Sequence, residues 1–255
     1  MSAGTHQAKT TKEYWGGIWH SAPRLRLPLG VDIGTRNLQR LLKAHVTPGM
    51  RFLEIGCAPG KMLAWVACIL KADVSGLDYS ERGLQFTREL FDALGIRGDL
   101  RCENMLSTTF CPGSFSLVFS AGVIEHFDDP REVVKSHVML LRPGGTAVMT
   151  VPNLGGFYGR LQRMFDLQTL SLHNTSIMNP EALRALAPEG LVADVRAYPF
   201  GRISPWILSF DDRWPRLLTR ATQHIVNAMA CVQPFDISGL CPMLVLEMRR
   251  RRETP

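Results

Sequence analysis

The segment Phe52–Leu63, FLEIGCAPGKML, changes its hydrophobic period in the middle. Before Gly56 the apolar residues form a short continuous run. After Gly60 they recur as Met62, Leu63, Val66, Ile69 and Leu70, the spacing of one helix face. A strand that turns directly into a helix needs the backbone freedom of glycine. It also leaves the first amides of the helix facing whatever lies in the turn. About twenty residues further on, Asp78 ends the next apolar run, Asp73–Leu77. An acid at that distance can accept hydrogen bonds from both hydroxyls of a ribose.

From Arg51 onward strands and helices alternate. Arg51–Ile55 and Asp73–Leu77 are strands, joined by a helix over 61–71. Ser80 caps a helix through Leu84, Leu90, Phe91 and Leu94, which Gly95 stops. Leu100–Cys102 is a short third strand and Phe115–Ser120 a fourth. Pro130 opens a helix through Val133, Val134, Val138 and Leu141, closed by Pro143-Gly144-Gly145, and Thr146–Val151 is the fifth strand. Short links between such elements give a parallel sheet covered on both faces. Beyond it lie an insertion over 154–179, a short helix over 180–187 capped by Asn179, and strands over 192–197 and 242–248. A stretch rich in Trp, Leu and Ile fills 203–232.

Three ligand classes fit a glycine turn between strand and helix. A phosphate loop needs Gly-Lys-Ser/Thr, and here Met62 follows Lys61. A dinucleotide turn needs G-x-G-x-x-G, which Gly56-Cys57-Ala58-Pro59-Gly60 does not supply. Glu54, two residues before the first glycine, would repel a pyrophosphate but suits a ligand with a positive centre. S-adenosylmethionine has a sulfonium and an ammonium group and no phosphate. A tight turn that binds nothing stays open as the structural alternative.

These motifs resemble those of class I S-adenosylmethionine methyltransferases, in the small-molecule branch that includes ubiquinone-biosynthesis enzymes. Glu54-x-Gly56-x-Ala58-x-Gly60 looks like the first motif and Val74–Ser80 the second. Cys102–Phe127 looks like the third and fourth, and Leu140–Asn153 the stretch that follows. The resemblance implies an α/β, Rossmann-like fold with a mostly parallel seven-stranded sheet and helices on both faces. It implies S-adenosylmethionine as cofactor, S-adenosylhomocysteine as product, and no metal. The cofactor residues it implies are Glu54, Gly56, Cys57, Ala58, Gly60, Asp78, Tyr79, Asn104, Met105 and Ala121. Asn104 stands where the family commonly has an acid that meets the adenine amino group, and Ser116 where it has Asp. Ala58 replaces the usual middle glycine.

The fourth strand ends in Ser120-Ala121-Gly122-Val123, without the Pro-Pro-aromatic run of enzymes that methylate base amines. The expected acceptor is therefore a small molecule rather than nucleic acid, methylated on oxygen or nitrogen. An oxygen acceptor needs a base; the candidates are His126 and His173, while His20, His137 and His224 look like surface or helix-face residues. Gly122-x-x-Glu125-His126-Phe127 also resembles cyclopropane fatty acid synthases, so lipid or carbon methylation is one alternative. A nucleotide-dependent oxidoreductase on the same fold is another, and a non-catalytic scaffold a third.

The N-terminal 48 residues hold Tyr14, Trp15, Trp19, Arg24 and Arg26, as a core strip or a lid; residues 1 to about 12 are expected to be disordered. The domain proper spans 49–255, with insertions over 154–179 and 203–232. Trp206–Val232, with Arg213, Arg216 and Arg220, is a core helix, a homodimer face or a peripheral membrane contact. Net charge is +6, of which Arg249–Arg252 supply four, leaving +2 for the rest of the chain. That basic run is expected to be a solvated end. The six cysteines lack ligand spacing, which argues against zinc and for a reducing compartment. With no signal-like or membrane-spanning stretch, the expected location is cytoplasmic.

Overall fold

The computed structural model describes residues 8–18, 25–28, 30, 32–204, 215–233 and 235–252. Trp19, His20, Arg24, Trp206 and Arg213 lie outside them. Seven strands form one sheet in the order β3-β2-β1-β4-β5-β7-β6. They are β1 Arg51–Ile55, β2 Asp73–Asp78, β3 Asp99–Cys102, β4 Phe115–Ala121, β5 Leu141–Pro152, β6 Val192–Phe200 and β7 Met243–Arg250. The sheet is mixed: β1 to β5 pair in parallel, and β7 is antiparallel to both β5 and β6.

Alternation along the central strands builds a core on each face. Leu53, Val118 and Met149 pack on one side, and Phe52, Phe119 and Val148 on the other. Helices α2 (Ile33–His45), α3 (Lys61–Trp65) and α4 (Glu81–Leu94) cover the second side. Helices α5 (Arg131–Leu140) and α8 (Pro180–Arg184) cover the first. The caps follow local chemistry. The Ser80 side chain accepts the Gly83 amide, Asn179 accepts the Ala182 amide, and Gly95 closes α4 in the left-handed region.

Several expectations need correction. The helix over 61–71 becomes a π-helical turn at Val66–Leu70, and Ile69 faces solvent. Strand β5 begins at Leu141 and runs through Pro143-Gly144-Gly145, its pairing with β4 shifted in register between Phe115 and Leu117. His137 is fully buried; its ring faces the Val133 carbonyl at 2.8 Å and the Ser120 hydroxyl at 3.0 Å. Burial pushes its pKa down to about 4. Ala8 forms a bridge to Phe127, and the Lys9 amide donates to the His126 carbonyl, so order begins before residue 12. Arg250 and Arg251 are not a solvated end: they donate to the Met139, Leu141 and Val192 carbonyls.

Gly60 has φ +79°, and a Cβ there would meet Cγ2 of Thr87 at 2.5 Å. Gly60→Ala therefore combines left-handed strain with overpacking, and about 2 kcal/mol or more of stability should be lost. Urea denaturation measures it, and an unchanged midpoint would show that α4 gives way freely.

Candidate active site

A cavity of about 570 Å³ opens at the carboxyl ends of β1, β2 and β4, the usual place for a ligand in an open α/β sheet. At one end the loop after β1 is tied to the end of β2. The Gly56 and Cys57 amides donate to the Leu77 carbonyl at 2.7 and 3.2 Å. Asp78 Oδ2 accepts the Ala58 amide at 3.0 Å, and its Oδ1 accepts the Ser80 amide at 2.8 Å. Burial raises the Asp78 pKa, against the opposing pull of the Ser80 and Ala58 amides.

Of the ten residues expected at the cofactor, seven line this cavity: Gly56, Ala58, Asp78, Tyr79, Asn104, Met105 and Ala121. Three do not. Cys57 packs into the core among Leu63 and Val74, and Gly60 is spent on its contact with Thr87. Glu54 sits buried behind the loop, and among the described residues its Oε2 has no hydrogen-bond partner. Burial first, and the Asp78 charge second, raise its pKa to about 8, with the Leu63 amide pulling the other way. Gly56 has φ +73°, and a Cβ there would meet Val123 Cγ2 at 2.7 Å, so substitution strains the chain before it reaches a ligand. The Asn104 side-chain oxygen caps a short 3-10 turn by accepting the Leu106 amide at 3.0 Å. The Ser116 hydroxyl accepts from Arg142 at 3.0 Å, a purely local role.

The other end joins residues far apart in sequence. His126 and His173 stack at 4.9 Å between ring centroids. Asn174 fastens the two segments: its amide donates to the Glu125 carbonyl at 2.7 Å, and its side chain to the Phe127 and Asp128 carbonyls. His126 Nδ1 lies 3.0 Å from the Leu172 carbonyl, so that nitrogen carries the proton and Nε2 is an acceptor. Burial, then the His173 ring, lower the His126 pKa to about 4. Glu125, singled out before only through the cyclopropane-synthase resemblance, joins them. It is 1% exposed, its Oε2 has no partner among the described residues, and burial raises its pKa to about 8. Ligand atoms of Glu125, His126 and His173 all lie within 4.8 Å of one another. An acid directly before a histidine, just past a strand end, is the signal that could have found it.

Helix α1 (Lys12–Ile18) closes one wall with Tyr14, Trp15 and Ile18. Trp15 donates from Nε1 to the buried Thr10 hydroxyl at 2.9 Å and meets the His126 ring edge-on at 5.1 Å. Helix α6 (Phe157–Phe165) lends the buried Gln162 to the cavity; α7 (Leu167–Ser171) leads on to His173.

Residues 53–149 match the family model described as a methyltransferase domain. Over this segment the chain is similar to S-adenosylmethionine-dependent methyltransferases. A ubiquinone biosynthesis O-methyltransferase of Bordetella bronchiseptica is 30% identical over 106 residues, 41% of this chain and 44% of the relative. The chain thus matches less than half the length of that curated relative. The phosphoethanolamine N-methyltransferase 2 of Haemonchus contortus superposes with a TM-score of 0.61 at 17% identity, covering 87% of this chain and 54% of that one. The cyclase SpnF superposes with the same TM-score at 14% identity, over 97% of this chain and 98% of its own. At such identities the methyltransferase fold is what is shared, and one fold can host different reactions.

In this domain the buried carboxylates set a pH signature. A carboxyl whose folded pKa is raised leaves the native state holding more protons than the unfolded one between its two pKa values. Stability from that group is then lost as pH rises from about 4.5 to about 8. Glu125→Gln cannot ionise. It should gain stability over the parent at pH 8 compared with pH 5; an equal difference at both would show that Glu125 titrates normally.

Proposed function

We propose that this chain transfers the methyl group of S-adenosylmethionine to an oxygen or nitrogen of a small-molecule acceptor. The observation that carries the reading is one cavity joining the Asp78 loop to the Glu125–His126–His173 cluster. The cofactor end fits such a ligand: each Asp78 oxygen keeps accepting capacity for a ribose hydroxyl beside its amide bond. Glu54, its pKa raised to about 8 by burial, is mostly protonated near neutral pH, and a sulfonium or ammonium beside the loop would favour its ionised form. Tyr79, Asn104, Met105 and Ala121 would flank the adenine. When bound, S-adenosylmethionine supplies a methyl group activated on a sulfonium for in-line displacement.

The remaining work falls to the chain's own groups. The Trp15 wall and the insertion over 154–179 exclude water. His126, neutral and with Nε2 accepting, orients the acceptor's O–H or N–H. His173 takes the proton. By its name one matched relative acts on oxygen, while neighbours in fold include an N-methyltransferase and a C-methyltransferase, so the choice of oxygen or nitrogen belongs to this proposal.

A second reading has one specific observation behind it. Glu125, His126 and His173 have the donor set of a divalent cation site, and the His126 Nδ1 bond to a carbonyl matches the way metal-bound imidazoles are held. This would replace the expectation of no metal. Dialysis against a chelator followed by readdition of magnesium, manganese or zinc decides it. Activity that survives chelation keeps the histidine mechanism; loss with metal-specific recovery replaces it.

Two further outcomes test the main reading. Asp78→Ala should weaken S-adenosylhomocysteine binding by about 2–3 kcal/mol in calorimetry, the worth of hydrogen bonds to a charged group. Equal affinity in both proteins refutes the ribose role. His173→Ala should lower turnover about 10²-fold or more while that affinity changes little. If affinity falls in step with turnover, His173 is structural.

A further inference from the structure

The wall of the cavity is charged in one sense only. Asp78, Glu103 and Glu125 line it, and no Lys or Arg is among its described residues. The three acids are not equivalent. Asp78 belongs to the loop end. Glu103 is committed to its own turn, since the Thr108 hydroxyl and the Thr109 amide and hydroxyl donate to its carboxylate. Glu125 is buried at the histidine end, and among the described residues its Oε2 has no hydrogen-bond partner. An oxygen in that state destabilises the protein until a donor reaches it. A phosphate or carboxylate on the acceptor would meet no cation here, whereas a cationic group meets an acid.

Geometry narrows the class of cation. One Glu125 oxygen and one ring nitrogen each from His126 and His173 lie within 4.8 Å of one another. A primary ammonium carries three N–H bonds at tetrahedral angles. With donor–acceptor distances of about 2.9 Å, its three partners stand about 4.7 Å apart. Three acceptors on such a triangle therefore match three donors on one nitrogen. A hydroxyl has a single donor for them, and a quaternary ammonium has none. Trp15, Phe127 and Leu154 add apolar wall to the same cavity, surface for a hydrocarbon body.

We propose that the methyl acceptor is a primary amine with an apolar body, held as its ammonium by Glu125, His126 and His173 and carrying no phosphate or carboxylate. This rests on the methyl-transfer reading and commits it to nitrogen. For transfer the ammonium gives one proton to His173. The freed electron pair forms the N–C bond as the C–S bond breaks, and the pair of that bond stays on sulfur. The product is a secondary ammonium with one N–H fewer for the three acceptors, which favours its release.

The test is calorimetry on the full chain saturated with S-adenosylhomocysteine, with a chelator present. The probes are phenethylamine, N-methylphenethylamine, phenethyltrimethylammonium, phenethyl alcohol and hydrocinnamate. Phenethylamine should bind about tenfold or more tighter than the alcohol, the worth of hydrogen bonds to a charged group. Affinity should fall from the primary amine through the N-methyl to the trimethyl compound, and hydrocinnamate should not bind. Glu125→Gln should weaken phenethylamine about tenfold or more and leave the alcohol unchanged. The order among probes is read on the unaltered protein, so it stands even if that variant fails to fold. Tightest binding of the trimethyl compound, the order an aromatic cage gives, overturns the proposal. So does an alcohol or carboxylate bound as tightly as the amine, or an amine affinity that Glu125→Gln leaves intact. A protein that binds S-adenosylhomocysteine but none of the amines also overturns it, and leaves methyl transfer itself standing. A protein that does not bind S-adenosylhomocysteine loses the methyl-transfer reading, and this inference with it.

Discussion

The cavity depends on how Asp78 is held. Each of its carboxylate oxygens accepts a different backbone amide, one from the loop after β1 and one from the start of α4. The parallel register that sets Ile55 beside Leu77 brings these segments within reach. The Leu77 carbonyl then takes the Gly56 and Cys57 amides. The turn after β1 therefore has its shape dictated by the strand beside it. A carboxylate committed twice to backbone loses orientational freedom, and what it still offers points into the crevice.

The loop end of the cavity was legible in the sequence because its signals are local. Gly56 and Asp78 sit at the ends of strands whose apolar runs are unmistakable, Ser80 and Asn179 cap by side-chain chemistry, and Gly95 caps through its left-handed backbone; none of these needs tertiary context. Elements governed by distant partners were less legible. Pro143-Gly144-Gly145 has the composition of a stop, yet the strand continues because a shift in register against β4 absorbs the irregularity. His137 lies four residues after Val133 on α5, where a polar ring suggests solvent. It is buried because Ser120, on β4, and the Val133 carbonyl satisfy both ring nitrogens. Ala8 and Lys9 are ordered by backbone partners more than a hundred residues away.

The histidine end of the cavity is assembled rather than written in one place. Glu125 and His126 follow β4, while His173 arrives at the end of an irregular insertion. What joins them is Asn174, whose bonds go to the carbonyls of Glu125, Phe127 and Asp128. No periodicity predicts such a clasp. His173 could be picked out because histidine is scarce in that insertion, whereas Glu125 looked like the neighbour of a more obvious residue.

Glu54 and Glu125 bear on whether the cavity is a mere relic of the fold. Each is buried, each has an oxygen without a hydrogen-bond partner, and burial pushes each pKa to about 8. Leaving a buried polar group unsatisfied costs about 1–3 kcal/mol, more when it is charged. Glutamine or methionine at either place would avoid the cost of a buried charge. His126 gives no relief, since it is itself held neutral by burial. A carboxylate kept under those conditions destabilises the protein alone and gains only when something positive, or something with a proton to give, comes into its field. Glu125 lines the cavity at its histidine end, and Glu54 lies buried behind its loop end. That arrangement suits a site meeting one demand for charge in its cofactor and another in its acceptor.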